Sequence, residues 1–267
     1  MEEKSNNKLI IPGAIIIAGL IIAGAVFYGK KSPSVATPEN KPSQDQAANV
    51  AASSLDNLKP ITDKDHILGN PDAPVTLVLF TDLECPFCKR FHITMKQIME
   101  EYGKAGKLKW VFRHLPLEQL HSKAKNEAVA AECAADIGGN EKFWQYVDRL
   151  FEITPGNNGL DPTELPKIAE YVGLNKTQFE TCLTSGKFDQ RIKEDSENAM
   201  QLGALGTPYA IVLGPNGKKA AIPGAFPYIS TDPTLYQNLE DSERKTLCEE
   251  ENKSCGIKIA IDKLLSQ

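Results

Sequence analysis

The sequence contains no long block of like charges and no internal repeat. Its 30 Lys and Arg residues and 35 Asp and Glu residues give a formal net charge of −5. A protein that neutralises many phosphates needs a basic patch or stripe, so we expect no nucleic acid partner. The absence of a repeat argues against a stacked array of small units and is consistent with one ordinary globular domain.

A second closely spaced cysteine pair is also missing. Of the six cysteines, Cys85 and Cys88 are separated by two residues, whereas Cys248 and Cys255 are further apart. Structural zinc sites usually take their ligands from two closely spaced pairs. We therefore expect no metal site, and nothing in the sequence calls for another cofactor.

The longest apolar run covers residues 9–28 and has no charged residue. About 20 apolar residues match a hydrocarbon core about 30 Å thick, so residues 1–31 are predicted to be a membrane anchor. The alternative is a cleaved signal peptide, because Ala23, Gly24 and Ala25 have the form of a cleavage site. The run exceeds the roughly 7 to 15 residues of an ordinary signal core, which favours a retained single-pass anchor.

Six cysteines behind an export segment indicate an oxidising compartment, where disulfides persist. We therefore expect a domain on the extracytoplasmic side of the cell membrane. Residues 32–60 are rich in Pro, Ser, Ala, Asn and Gln without apolar periodicity, which predicts a flexible linker. The folded domain is then predicted over residues 61–267.

The pattern of the domain alternates between strand and helix signals. A buried strand over 74–80 is followed by an amphipathic helix over about 85–102 and a second strand over 107–112. Helical periodicity then dominates residues 118–202. Strands over 209–213 and 218–222 form a hairpin, and 257–265 is a last helix. This order predicts one α/β domain that carries a helical insertion over about 118–202.

The segment Cys85-Pro86-Phe87-Cys88 opens the predicted first helix. Two cysteines at this spacing lie about one turn apart on one face, close enough to form a disulfide. The helix N-terminus stabilises a thiolate on Cys85, which is predicted to be the nucleophile, and Cys88 is the resolving thiol. A permanent structural bridge or half of a zinc site are the alternatives. The strand before the pair and the helix after it favour a redox-active pair.

Four stretches together resemble the DsbA-like thiol-disulfide oxidoreductases of the thioredoxin superfamily, and the resemblance extends over about residues 66–228. The stretches are residues 69–75, 80–84, 113–117 and 206–208. The resemblance implies a thioredoxin-like fold interrupted by a helical domain. It also implies a cis peptide bond between Thr207 and Pro208 beside the cysteine pair, with Thr207 offering its backbone to a substrate strand.

Two positions depart from the best-known members of that family, and Glu84 adds a negative charge beside the cysteine pair. Phe87 stands where those members have a histidine between the cysteines, and the carboxylate of Glu84 is adjacent to Cys85. The missing cation and the neighbouring anion should both raise the pKa of Cys85. Leu79 replaces a buried acid that serves as a proton relay, and Asp82 or a water is expected to take its place. We therefore predict a less oxidising protein than DsbA.

The remaining cysteines are predicted to form structural disulfides. Cys133 and Cys182 lie on apolar-periodic helices of the insertion, and Cys248 and Cys255 lie in a charged segment before the last helix. Pairing within each set would close one loop of about 50 residues and one local loop. The alternative is four free thiols.

The four histidines are not assigned catalytic roles. His92 shares a helix face with the first turn of the cysteine helix and could approach the site. His66, His114 and His121 are interpreted as packed or solvated side chains.

Two directions of electron flow are compatible with this sequence. The leading hypothesis is an oxidase that introduces disulfides into reduced or unfolded exported polypeptides and is reoxidised by a DsbB- or VKOR-like membrane partner. The rival is a disulfide reductase or isomerase of the same fold. A non-enzymatic metal- or peptide-binding protein with a thioredoxin-like fold is a third hypothesis.

Overall fold

The computed structural model describes residues 55–251 and 253–266. The membrane anchor predicted over 1–31 and most of the linker predicted over 32–60 lie outside the described residues. No helix within the described part of the chain has both the length and the apolar character needed to cross a membrane.

The last residues of the predicted linker are packed on the domain. Leu55–Asn57 form a 3-10 turn in which Leu55 is buried. The backbone N–H of Lys59 donates to Oδ1 of Asn198 at 3.2 Å, and Nδ2 of Asn198 donates to the carbonyl of Asn57 at 2.8 Å. Residues 55–60 are therefore part of the folded structure, although their composition is that of a linker.

A five-stranded sheet forms the centre of the domain, in the order β1-β3-β2-β4-β5. Strands β2 and β3 are parallel, and the other neighbours are antiparallel. All seven residues of β2 are buried, as expected for a central strand that is covered on both faces and reads as a continuous hydrophobic run. The strands are β1 His66–Leu68, β2 Val75–Thr81, β3 Leu108–His114, β4 Tyr209–Leu213 and β5 Lys219–Pro223.

The helices cover both faces of this sheet. On β2, Leu77 and Leu79 face the larger core with the first helix, whereas Val78 and Phe80 face a smaller core on the other side. The helices are α1 Pro86–Ile98, which continues as a π-helical turn Met99–Gly103, α2 Ala124–Ile153, α3 Glu164–Tyr171, α4 Lys176–Leu183, α5 Asp189–Gln201, α6 Pro233–Asn238, α7 Asp241–Leu247 and α8 Ile257–Leu265.

Helices α2 to α5 lie between β3 and β4 in the chain and form an inserted helical region. The α2 helix is interrupted at Gly139, whose φ of 75° is left-handed. Just after this interruption an aromatic cluster packs the helix on β3: Trp110 and Trp144 have ring centroids 4.6 Å apart, and Phe112 and Phe143 have theirs 5.1 Å apart. The result is a thioredoxin-like α/β fold with a helical insertion.

Two disulfides are present. Cys133 on α2 is joined to Cys182 on α4 with a Cα–Cα distance of 5.8 Å and a sequence separation of 49. Closing a loop of that length stabilises by about 4 kcal/mol on the chain-entropy model. Cys248 is joined to Cys255, seven residues further along, and closes a local loop before α8.

One buried carboxylate fastens α2 to the sheet. Oε1 of Glu132 lies 2.9 Å from Nε2 of His66 on β1, 3.0 Å from Nε2 of His114 on β3 and 3.2 Å from Nε of Arg191 on α5. Burial alone would raise the pKa of Glu132, but the hydrogen bonds and charges of the two histidines hold it well below its usual range. Burial lowers the pKa of His66, against the opposing effect of Glu132.

Acid should destabilise the protein through this cluster. Both pKa values are lowered in the folded state. The unfolded chain therefore binds more protons than the folded protein once the pH falls below about 6.5 for His66 and about 4.5 for Glu132. The stabilisation is complete above pH 6.5 and is lost through these two ranges. Glu132→Ala should lower the free energy of unfolding at neutral pH by about 2 to 4 kcal/mol, since it leaves the buried imidazoles of His66 and His114 without their common acceptor.

Urea denaturation at several pH values, with the disulfides intact, measures this effect. Glu100→Ala is the matched control, because Glu100 is exposed in a surface pair with Lys104 and should change stability by at most about 0.5 kcal/mol. A Glu132→Ala protein with the acid sensitivity of the wild type would contradict the assignment.

Candidate active site

The cysteine pair lies where β2 ends and α1 begins. Cys85 is the N-cap residue with extended backbone angles, and Pro86 occupies the first turn, where its missing N–H needs no partner. No acidic residue lies in that turn. Cys85 is 5% exposed and Cys88 is 1% exposed, and both are free thiols.

The surroundings of Cys85 favour its thiolate. The pKa of Cys85 is lowered from 9.0 to about 6, and the largest cause is its hydrogen bond with the Cys88 side chain. Burial opposes this effect, while the backbone N–H groups of Cys88 and Phe87 and the side chain of Thr207 add to it. A helix N-terminus directs its free amides at the sulfur in this way.

The surroundings of Cys88 favour its neutral thiol. Burial, followed by the hydrogen bond and charge of Cys85, raises the pKa of Cys88 well above its usual range. The Thr81 side chain and the backbone N–H of Asp82, which lies 3.5 Å from Sγ of Cys88, act in the opposite direction. The two sulfurs are therefore chemically distinct: one ionises readily and the other retains its proton.

The predicted proline loop lies against the first cysteine. The Thr207–Pro208 peptide bond is cis, and Sγ of Cys85 donates to the carbonyl oxygen of Thr207 at 3.6 Å. The hydroxyl of Thr207 is buried without an ordinary hydrogen-bond partner among the described residues, so it is available to the Cys85 sulfur. The structure thus brings Thr207 and Pro208 together with Cys85 across 122 positions of sequence.

Glu84 and Phe87 are the two residues beside this thiol that were expected to make it less acidic than the thiol of DsbA. The Glu84 side chain is fully buried and turns toward the helical insertion, where Oε2 accepts a hydrogen bond from the backbone N–H of Asn158. The Phe87 side chain is 56% exposed, and the guanidinium of Arg90 lies over its ring, 5.0 Å from the ring centroid. The pKa of Cys85 is lowered because the hydrogen bonds to its sulfur outweigh its burial.

The histidines divide between the site and the core. His92 pairs with Asp148 at 2.7 Å, and His66 and His114 belong to the Glu132 cluster. His121, in contrast, places Nδ1 2.9 Å from Oδ2 of Asp82, in the turn that leads to Cys85. The place of His121 in the site could not be predicted, because it lies 33 or more positions from the cysteines and no spacing rule connects a histidine at that distance with the pair.

The acidity of Cys85 should depend on Cys88. Cys88→Ala removes the largest single contribution and should raise the pKa of Cys85 from about 6 toward 9.0. Cys88→Ser is the matched control, because its hydroxyl retains a donor and should keep the pKa closer to that of the wild type. The rate of alkylation by iodoacetamide as a function of pH measures the thiolate. A Cys88→Ala profile that coincides with the wild-type profile would contradict this explanation.

Comparison with known proteins agrees with this geometry. A family model described as Thioredoxin matches residues 61–222. The probable disulfide bond formation protein D of Bacillus anthracis is 27% identical over 223 residues, which cover 79% of this chain and 90% of that protein. The crystal structure of DsbA2 from Pseudomonas aeruginosa superposes with a TM-score of 0.55 and 28% identity, over 67% of this chain and 94% of that chain.

A second group of relatives is much longer than this chain. The Na(+)/H(+) antiporter NhaA 1 of Mycolicibacterium gilvum is 34% identical over 165 residues, which cover 61% of this chain and 25% of the antiporter. The chain spans about a quarter of the length of these relatives. The family match, the fold and the cysteine pair agree with one another: the chain belongs to the thioredoxin family and, within it, to the DsbA-like thiol-disulfide oxidoreductases.

Proposed function

We propose that the protein introduces disulfides into exported polypeptides through the Cys85–Cys88 disulfide. A substrate thiolate attacks Sγ of Cys85, the bond between Cys85 and Cys88 breaks, and Cys88 leaves with the electron pair and takes up a proton. A second substrate thiolate attacks the substrate sulfur of the mixed disulfide, and Cys85 leaves as a thiolate. The substrate dithiol becomes a disulfide, and the protein disulfide becomes a dithiol.

The difference in acidity between the two cysteines carries this proposal. A Cys85 thiol with a pKa of about 6 is a good leaving group in the second step, because its thiolate is stable at neutral pH. Stabilising the reduced form in this way makes the disulfide form a better oxidant. The raised pKa of Cys88 fits the opposite need, since that sulfur must take up a proton once the bond has broken.

Thr207 and Pro208 are proposed to hold the substrate. The carbonyl of Thr207 already accepts from Cys85, so an extended peptide paired with this backbone would present its sulfur to Cys85. Phe87 lies between the two cysteines and Leu205 lies two residues before Thr207; both expose large apolar side chains, which are 56% and 101% exposed. Such side chains suit unfolded polypeptides, whose apolar residues are still accessible.

Reoxidation is assigned to a DsbB- or VKOR-like membrane partner, with the catalytic domain outside the cytoplasm and the N-terminal segment as its anchor. The cysteine content and the relative named for disulfide bond formation support this location. We infer no ion transport from the antiporter relatives, because the chain spans only a quarter of them. A reductase or isomerase would keep Cys85 and Cys88 mostly reduced in the cell, which alkylation trapping distinguishes from an oxidase.

The Cys88→Ala variant should accumulate mixed disulfides, because its Cys85 thiolate can still attack a disulfide of a client or redox partner, one sulfur of which leaves as a thiolate. No Cys88 thiol is present to displace the sulfur that stays bound to Cys85. Cys85→Ala is the matched control and should accumulate none, since Cys88 is 1% exposed. Nonreducing gels followed by mass spectrometry of the trapped species give the measurement and name both clients and redox partner. Equal adducts from the two variants, or unchanged activity of Cys85→Ser, would rule out the proposed chemistry in favour of a binding protein.

The reduction potential should be more negative than the roughly −120 mV of DsbA, because a thiol with a pKa of about 6 is less acidic than the DsbA thiol at about 3.5. Equilibration of the purified protein with glutathione buffers measures it. Phe87→His is the informative comparison, since a cation between the cysteines should shift the potential toward that of DsbA. A wild-type value near −120 mV would refute the expectation.

A further inference from the structure

His121 is held in one position beside the cysteine pair. It lies in the connection from β3 to α2 and is 7% exposed. Its Nδ1 is 2.9 Å from Oδ2 of Asp82, which is 1% exposed. The same carboxylate accepts from the backbone N–H of Leu117 at 2.8 Å and from that of Glu84 at 2.8 Å. Asp82 is therefore fixed by backbone donors, and it fixes the imidazole in turn.

Asp82 also contacts the redox pair directly. Its backbone N–H is 3.5 Å from Sγ of Cys88. One residue thus links Cys88 through its main chain and His121 through its side chain. The imidazole is consequently placed within electrostatic reach of Cys85, whose thiolate is one of the charges that act on it.

These contacts favour the imidazolium form. Burial opposes protonation of His121, but the hydrogen bond to Asp82, the charges of Asp82 and Cys85, and the side chain of Asn157 together raise the pKa of His121. A Coulomb interaction acts equally on both partners. If the Cys85 thiolate favours the His121 cation, then that cation favours the thiolate by the same free energy.

The helical insertion completes this arrangement through residues 156–158. Asn157 and Asn158 adopt left-handed φ values of 52° and 64°. This turn places the N–H of Asn157 2.8 Å from the carbonyl of Glu84, and Nδ2 of Asn158 3.0 Å from the carbonyl of Leu120. The residue before Cys85 and the residue before His121 are therefore fastened to the same turn.

Glu127, the carboxyl group that α2 places beside Glu84, adds no negative charge near His121. Glu127 on α2 is buried, and burial, followed by its hydrogen bond with Glu84 and the charges of Glu84 and Asp82, raises the pKa of Glu127 to about 10. Glu127 is therefore neutral at physiological pH. Oε1 of Glu84 and Oε2 of Glu127 have no other partner among the described residues, as expected for two carboxyl groups that share a proton. Lys123 adds a positive charge near Glu127.

We propose that His121 is a positioning residue of the redox pair: held by Asp82, its positive charge stabilises the Cys85 thiolate and makes the Cys85–Cys88 disulfide more oxidising. The inference rests on the proposed function. It assigns to a residue outside the Cys-Pro-Phe-Cys segment the cationic role for which Phe87 is unsuited. The stabilisation is present while His121 is protonated and is lost as the pH rises through the pKa of that histidine.

His121→Gln tests the charge, because glutamine keeps an N–H donor for Asp82 but cannot become a cation. The pH dependence of Cys85 alkylation should move to higher pH. The equilibrium constant with glutathione should fall by about tenfold, which corresponds to about 30 mV for a two-electron couple. His92→Gln is the matched control, since His92 is also buried and carboxylate-paired but contacts Asp148; it should leave both quantities unchanged. Wild-type values in His121→Gln would overturn the inference.

A second measurement needs no variant. Nuclear magnetic resonance of the wild-type protein should give His121 a higher pKa in the dithiol form than in the disulfide form, because oxidation removes the Cys85 thiolate. The same pKa in both forms would overturn the inference. Failure of the proposed function is distinguishable, because it would leave the Cys88→Ala variant without trapped clients. Failure of this inference alone would leave that trapping intact, while the alkylation profile and the glutathione equilibrium of His121→Gln would match those of the wild type.

Discussion

The site depends on where strand β2 ends. Because β2 is the central strand, its neighbours on both sides reach the same edge of the sheet: β3 is parallel and ends there, and β4 is antiparallel and begins there. The chain that leaves β3 brings His121, and the chain that enters β4 brings Thr207 and Pro208. The cysteine pair therefore lies between two segments that the strand directions alone deliver to it. No side-chain contact has to bring these distant parts of the sequence together.

The helical insertion adds the second layer of the site. It contributes the turn over 156–158, which is bonded both to Glu84 and to the connection that carries His121. It also contributes Glu127, whose retained proton lets a buried carboxyl lie against Glu84 without charge repulsion. The hydrogen bonds that lower the pKa of Cys85 thus come from the thioredoxin-like part, whereas the insertion holds the residue that precedes this cysteine. The insertion belongs to the redox centre as well as to the surface around it.

Elements with a strong hydrophobic pattern were predictable from the sequence. The strand expected over 74–80 is β2 at Val75–Thr81, and the last helix is Ile257–Leu265 as expected. Strand β1 has three residues, too few to show alternation. Helix α7 is short and charged, and it is stabilised at its start by a capping box of Glu240 and Glu243 instead of an apolar face. The acidity of Cys85 could not be judged from residue types alone, because it is determined by the geometry of the hydrogen bonds that its sulfur receives from Cys88, Phe87 and Thr207.

The two disulfides away from the site must themselves be formed by oxidation. Cys133–Cys182 and Cys248–Cys255 are buried or partly buried bonds that must form while the domain folds, and each needs an acceptor for two electrons. A freshly made chain cannot supply that acceptor from its own reduced Cys85 and Cys88. Under the proposed function, copies whose Cys85–Cys88 pair is already oxidised can supply that acceptor, so the protein is itself one of the exported polypeptides that it could serve.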